Sequence, residues 1–167
     1  GIAEALSHYF GLPMFSLGGC SDSNCLDQQA GIEAALTLMI AALGGGHIVH
    51  DLGYLESGLC YSLAQLVICD EILGWIEHSL QGIDVSDTAL AVDLIHEIGP
   101  DGHFIETEHT LRHFREDWVP TLSDRYDYQR WASRGATTLQ ERANKKVREI
   151  LESHRAERLP QDVVKEL

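Results

Sequence analysis

Positive charge is scarce in this chain of 167 residues. It has 12 Lys and Arg residues and 26 Asp and Glu residues, which gives a formal net charge of −14. An acidic surface of this kind repels phosphate backbones, so the sequence predicts no binding of nucleic acid. The nearest basic cluster, at Lys145, Lys146 and Arg148, has glutamates interleaved with it. This interleaving is typical of a solvated helix face.

Long apolar runs are also missing. The longest, from Ala34 to Leu43, contains Thr37 and is about half the length of a membrane span. Gly1 to Leu12 lacks the basic segment of a signal peptide. The cysteines form no CxxC pair, which favours reduced thiols. We therefore expect a cytoplasmic protein with no membrane contact.

A strand–loop–helix pattern occurs twice in the first half of the chain. Residues 13–17 form a short apolar run, followed by a polar stretch and a predicted helix over 26–43 that three glycines end. The pattern restarts with a strand at 47–50, a loop at 51–58 and a helix over about 62–79. Such alternation predicts βαβ units and a parallel sheet.

The second half of the sequence favours helices. Ser86 is predicted to cap a helix that ends at Ile98, and Thr110 to cap a short helix that ends at Arg115. Residues 103–105 could form a short strand or extended segment. The spacing of Thr138 and Glu141 is that of a capping box, which predicts the start of a long helix.

The predicted strands are too few for a complete parallel α/β domain, since a (β/α)8 barrel needs eight strands and about 250 residues. We therefore interpret the fold class as α/β and the chain as the C-terminal portion of a TIM (β/α)8 barrel with a helical C-terminal extension. Residues 1–82 are assigned to the last βα units of the barrel. Residues 83–167 are assigned to the mostly helical extension.

Ligands of parallel α/β proteins bind at the carboxyl ends of the strands, which selects two loops. The first loop contains glycines, a thiol and polar side chains at Gly18, Gly19, Cys20, Ser21 and Asp22. Ordinary helix capping is an alternative role for Ser21 to Ser23. The second loop places four ionisable groups within seven positions, at His50, Asp51, Tyr54 and Glu56. That density favours a functional role for at least one of them.

A metal site is not predicted. Cys20 and Cys25 have no matching downstream pair, and His47 and His50 point to opposite faces of a strand. His109 and His113 have the spacing of a zinc-binding helix, but the glutamate that would act as base is missing.

Several segments, in order, resemble the trimethylamine methyltransferase family. They are residues 15–23 (FSLGGCSDS), 27–33 (DQQAGIE), 50–58 (HDLGYLESG), 98–104 (IGPDGHF), 110–114 (TLRHF) with Trp118, and 131–135 (WASRG). The resemblance implies a barrel of about three times this length, of which this chain would be the last third. It also implies a methyltransferase that moves a methyl group from a methylamine to the cobalt of a corrinoid (cobalamin) carried by a partner protein.

Trimethylamine enzymes of this family carry pyrrolysine, whereas every residue here is an ordinary amino acid. The resemblance is therefore to the non-pyrrolysine branch, which includes glycine betaine methyltransferases. A cationic amine favours aromatic faces and carboxylates. We accordingly predict His50, Asp51, Tyr54, Glu56 and Phe104 on the substrate side, with residues 18–22 as the loop that the cofactor approaches. No catalytic residue is assigned.

Two other readings stay open. The first is a non-catalytic module that binds betaine or another quaternary amine. The second is a helical interaction or oligomerisation domain, because unpaired sheet edges and apolar faces need cover. We expect a homo-oligomer, and we expect the fragment alone to be inactive.

Overall fold

A computed structural model describes residues 1–157 of the chain, so the last part of the predicted extension, 158–167, lies outside the described residues. Helices predominate, and the strands are short. In chain order the elements are α1 (Ile2–Phe10), β1 (Phe15–Leu17), α2 (Gln28–Gly44), β2 (Ile48–His50), β3 (Tyr54–Leu55), a turn of 3-10 helix (Glu56–Gly58), β4 (Cys60–Tyr61), α3 (Leu63–Leu80), α4 (Asp87–Leu90), α5 (Val92–Ile98), α6 (Glu108–His113), α7 (Tyr128–Ser133) and α8 (Leu139–Ser153).

Strands β1 and β2 pair in parallel, with Ser16 opposite Val49 and Leu17 opposite His50. This confirms the predicted β–α–β order, with α2 as the connecting helix. Ser16 is buried and Val49 packs against the core, whereas Leu17 remains half exposed. Because side chains alternate along a strand, one face of the pair lies on the helices and the other is open.

The described residues form no closed barrel by themselves, and their predicted place in a larger TIM barrel stays a prediction. They contain one two-stranded parallel sheet and one two-stranded antiparallel sheet, β3–β4, in a mixed helix-and-strand arrangement compatible with a partial α/β fragment. The predicted loop over 51–58 contains short regular elements, because β3 and the turn at Glu56–Gly58 fall within it and β3 pairs with β4. Two-residue strands have no periodicity that a sequence pattern could reveal.

Helices α2 and α3 pack against each other. Ala34, Leu38, Cys69 and Ile76 form a fully buried cluster, onto which Val49 of β2 packs. The sequence predicts burial of α2 nearly all round. The structure instead leaves four large apolar side chains of α2 exposed, namely Ile32, Leu36, Ile40 and Leu43.

A second cluster joins α3 to α8. Ala64 and Ile68 of α3 pack against Ala143 of α8 and Leu122 of the preceding segment. The capping box predicted at Thr138 and Glu141 is confirmed. The long helix therefore begins where its sequence indicated, and it lies along α3.

The region between α3 and α8 differs from the sequence prediction in three places. The helix capped by Ser86 breaks at Ala91, whose φ is 47°, and so becomes α4 and α5. Thr107 caps α6 in place of Thr110. Residues 103–105 are not a strand, since the backbone turns there and Thr107 N–H donates to the Phe104 carbonyl at 3.1 Å. Among residues 1–157, no helix combines the length and apolarity that a bilayer crossing requires.

Candidate functional site

Two loops follow the parallel strands, and they hydrogen-bond directly to each other. We call residues 18–27 the β1 loop and residues 51–62 the β2 loop. Gly18 N–H donates to the His50 carbonyl at 3.1 Å, and Ser21 N–H donates to the Tyr54 carbonyl at 3.0 Å. Glu56 N–H donates to the carbonyl of Ser23 at 2.9 Å. The two predicted loops thus form one continuous edge.

The two glycines of the β1 loop allow close packing. A Cβ atom at Gly18 would lie 2.9 Å from Cγ1 of Val49, and one at Gly19 would lie 3.2 Å from Sγ of Cys69. Gly19 also has a φ of 78°, which L side chains rarely adopt. Both glycines are buried. They therefore bring the backbone of the loop down onto α2 and α3, beneath the polar side chains that follow.

Ser21 lies at the centre of the edge and is only 4% exposed. Its hydroxyl donates to Oε2 of Glu33 at 2.6 Å, and Asp22 N–H donates to the same oxygen at 2.8 Å. Hydrogen bonds lower the pKa of Glu33. The Ser21 hydroxyl has the largest effect, followed by the Gln29 amide and the Asp22 N–H. Glu33 is not among the site residues predicted from the sequence, although it is the only charged residue of α2.

Asp22 is exposed at the rim, and its Oδ1 accepts a hydrogen bond from Ser57 Oγ at 2.7 Å. Glu56 and Ser57 have φ values of 51° and 53°. Positive φ at non-glycine residues is uncommon, and the cross-loop bonds hold the backbone there. Helix capping is the wrong interpretation of Ser21 to Ser23, because Asp27 accepts from Ala30 N–H and caps α2.

His50 and Asp51 form a pair at the end of β2, with 2.9 Å between Nδ1 and Oδ1. Asp51 has a φ of 73°, which turns the chain out of the strand. The His50 ring contacts Phe15 of β1 edge-on, with 6.0 Å between the centroids. Both polar side chains are about half exposed at the open side of the parallel sheet.

Tyr54 supplies an aromatic face to the same edge. Its ring meets Tyr61 of β4 edge-on at a centroid distance of 5.2 Å, and its side chain is half buried. Phe104, by contrast, lies in the turn before α6, where its carbonyl accepts from Thr107 and Thr110. Within residues 1–157, no hydrogen bond or ring contact joins Phe104 to either loop.

The thiols near the edge are not activated. Burial raises the pKa of Cys20, and the carboxylates of Asp51, Asp22 and Glu33 raise it further. Burial also raises the pKa of Cys69 to about 11, and its Sγ donates to the Gly19 carbonyl at 3.3 Å. A thiolate is the reactive form of cysteine, so both side chains behave as neutral thiols near pH 7. In the part of the chain that the structure describes, no three His, Cys, Asp or Glu side chains converge as metal ligands.

This mixed helix-and-strand arrangement is compatible with part of an α/β protein, and its two parallel strands end at one edge that carries carboxylates, a histidine and a tyrosine. Over residues 2–167 the chain matches the family described as trimethylamine methyltransferase (MTTB). The chain therefore belongs to the trimethylamine methyltransferase family.

Individual relatives agree with this assignment. The chain is 38% identical over 151 residues to a glycine betaine methyltransferase of Desulfitobacterium hafniense (strain Y51), covering 89% of this chain and 31% of that protein. It is 36% identical over 163 residues to the trimethylamine methyltransferase MttB of Desulfitobacterium hafniense (strain DSM 10664 / DCB-2), covering 98% of this chain and 33% of that protein. The trimethylamine methyltransferase MttB of Methanosarcina thermophila is 33% identical over 162 residues, or 97% of this chain and 34% of that protein. The chain thus spans about a third of the length of these curated relatives.

Proposed function

We propose that the full-length protein moves a methyl group from a quaternary or tertiary methylamine, such as glycine betaine, to the cobalt of a corrinoid protein. The observation that carries the proposal is the pairing of the β1 and β2 loops. It brings the segments that carry Asp22, Asp51, Tyr54 and Glu56 together at one edge. Family membership and the relative named as a glycine betaine methyltransferase support the reaction class.

The chemistry of this edge suits a methylated cation. An aromatic face attracts a quaternary ammonium group, and carboxylates balance its charge. We assign these roles to Tyr54, Asp51 and Glu56, with His50 beside them. His50 is paired with Asp51 and approaches Phe15, so its ring has a fixed position at the strand end. Phe104 is proposed as a further substrate contact in the full-length protein.

The reaction requires orientation more than proton transfer. The bond from nitrogen to the methyl carbon breaks, its electron pair stays on nitrogen, and a neutral tertiary amine leaves. A quaternary amine therefore needs no general acid, and the protein contributes by aligning that bond. The corrinoid supplies a nucleophilic cobalt that accepts the methyl group. The donor set at the edge fits the cationic amine, and no residue of this chain is assigned to hold the corrinoid, because the partner protein carries it.

We further propose that residues 1–82 are the last βα units of a TIM (β/α)8 barrel and that residues 83–167 extend it. The parallel register of β1 and β2 with α2 between them supports this division, as does the open face of the sheet. In a barrel that face would point inward and be covered by the other strands.

The experiment combines the full-length protein with cob(I)alamin, or with a corrinoid protein charged to the same state, and screens quaternary and tertiary amines. We expect glycine betaine or a related amine to give loss of the cob(I)alamin absorbance together with release of the demethylated amine. Binding of the amine without methyl transfer would favour the non-catalytic binding module instead. Neither binding nor transfer with any amine would contradict both.

A further inference from the structure

Glu33 is half-buried, and both of its carboxylate oxygens accept hydrogen bonds at the edge of the site. Its Oε2 accepts from the Ser21 hydroxyl and from Asp22 N–H, and its Oε1 accepts from Gln29 Nε2 at 2.8 Å. Hydrogen bonds to an ionised carboxylate are stronger than those between neutral groups. A single side chain of α2 therefore holds both the side chain of Ser21 and the backbone of Asp22.

The two residues that Glu33 holds both contact the β2 loop. Ser21 donates its N–H to the Tyr54 carbonyl at 3.0 Å and accepts from Ser57 N–H at 3.2 Å. Asp22 accepts from the hydroxyl of Ser57. Three cross-loop contacts thus depend on two residues whose positions Glu33 fixes.

We infer that Glu33 is a positioning residue of the methyl-transfer site, which sets the placement of the β1 and β2 loops relative to each other through Ser21 and Asp22. It acts on the substrate through Tyr54 and Glu56. The inference rests on the proposed function.

Hydrogen exchange of the full-length protein tests the structural half of this inference without any need for activity. In a Glu33→Ala variant we expect faster exchange at the amide of Asp22 and also across the edge, at Ser21, Glu56 and Ser57, by about tenfold or more. The matched control is Gln28→Ala, an exposed position at the start of the same helix, which should leave these amides unchanged. Faster exchange confined to Asp22, or no change, would overturn the inference.

Steady-state kinetics of the same variants tests the functional half. Misplacement of reacting groups lowers kcat, so Glu33→Ala should reduce kcat by about tenfold to a hundredfold, with a smaller rise in KM. In Glu33→Gln the amide oxygen can take the place of Oε2 and accept both hydrogen bonds. We therefore expect this variant to recover most of kcat and the slow exchange.

Two kinetic results would contradict the assignment. One is a kcat for Glu33→Ala within about twofold of the wild type, and the other is an equal loss in the Gln and Ala variants, which would identify the charge as the important property. If the wild-type protein transfers no methyl group from any amine, the proposed function fails. The exchange data then still decide whether Glu33 holds the loops together.

Discussion

At the scale of single residues, Tyr54 is the aromatic side chain for which we propose a contact with the cationic substrate. Its carbonyl is fixed by Ser21 N–H, and its ring is held edge-on by Tyr61 at 5.2 Å. A ring held in one orientation loses little freedom when a ligand arrives. We propose that Tyr54 contributes to affinity through the electrostatic attraction between its aromatic face and the ammonium group.

Replacing Tyr54 by Ala in the full-length protein should therefore weaken binding of a quaternary amine by about 1 to 2 kcal/mol, or roughly tenfold in Kd. Titration calorimetry with glycine betaine measures this. The matched variant Tyr54→Phe keeps the ring and should bind almost as well as the wild type. Equal affinity in all three proteins would remove Tyr54 from the substrate side.

Glu71 is a buried carboxylate that serves the fold and is far from the proposed site in sequence. Only 7% of it is exposed, and it accepts hydrogen bonds from the N–H groups of Thr121, Leu122 and Ser123. Burial by itself would raise the pKa of Glu71, but the N–H donors of Ser123 and Leu122 outweigh it and lower the pKa below the usual 4.5. The charged form is thus the one that ties the segment 121–123 to α3.

The lowered pKa predicts how stability depends on pH. A carboxyl group whose pKa is lower in the folded state stabilises it above the unfolded pKa and loses this effect as pH falls through the folded pKa. At pH 7 a Glu71→Gln variant should be about 1 to 3 kcal/mol less stable than the wild type, because its amide cannot accept all these donors. The difference in the free energy of unfolding between this variant and the wild type should shrink below pH 4.5. Urea unfolding at several pH values measures it, and the exposed Glu77→Gln on the same helix serves as control. A difference independent of pH would contradict the assignment.

Most of the candidate residues could be located from the sequence because they follow the ends of apolar strands. Their mutual arrangement could not be predicted from the sequence, since it depends on contacts between loops that are distant in the sequence. Glu33 illustrates this limit. A single glutamate in an apolar helix is a visible signal, but its partners Ser21 and Asp22 emerge only when the β1 loop folds back over α2. Whether these residues bind substrate stays a prediction.

At the scale of elements, the contact between α3 and α8 depends on small side chains. Ala143 is fully buried against Ala64 and Ile68, so the two helices approach closely along this seam. Arg142 strengthens it by donating from Nε to the Leu122 carbonyl at 2.7 Å. The seam is what attaches the predicted extension to the predicted barrel units.

Enlarging Ala143 should separate these two elements. We expect Ala143→Leu to lower the free energy of unfolding by about 1 to 3 kcal/mol, because a larger side chain there has no space to occupy. The control is Lys146→Leu on the same helix, an exposed position where the added apolar volume should change stability by about 0.5 kcal/mol or less. Thermal and urea unfolding of the two variants compares them. Equal stability would show that the helices are not in close contact at this position.

The sequence is a good guide to elements with strong local signals and a poor one elsewhere. The prediction of a capping box at the start of α8 was correct because its donors and acceptors lie within four residues of each other. The break at Ala91 has no such signal, since alanine favours helix and adopts a φ of 47° here against its preference. Strands β3 and β4 were missed because their pairing is set by the turn at Glu56–Gly58 and by contacts with the β1 loop.

At the scale of the whole molecule, one face of the parallel sheet has no cover within the described residues. Phe15, Leu17 and Ile48 are each more than half exposed on the side away from α2. An apolar sheet face of this kind is rarely left open to water. Since the chain spans about a third of its curated relatives, we propose that the rest of the full-length protein covers this face as the interior of a barrel.

A charged residue introduced on that face distinguishes a sheet face that the rest of the protein covers from one that stays open to water. In the full-length protein Leu17→Asp should cost about 3 kcal/mol or more, because it would place an unpaired carboxylate among the inward side chains of the barrel. In this chain alone, where Leu17 is 53% exposed, the same substitution should cost much less. Leu151→Asp, on the outer side of α8, should be nearly neutral in both proteins. Urea unfolding of the wild type and both variants, each in the full-length protein and in this chain alone, measures these costs. An equally small cost for Leu17→Asp in the full-length protein would mean that the sheet face stays open. Strands β1 and β2 would then not be neighbouring strands of a closed barrel.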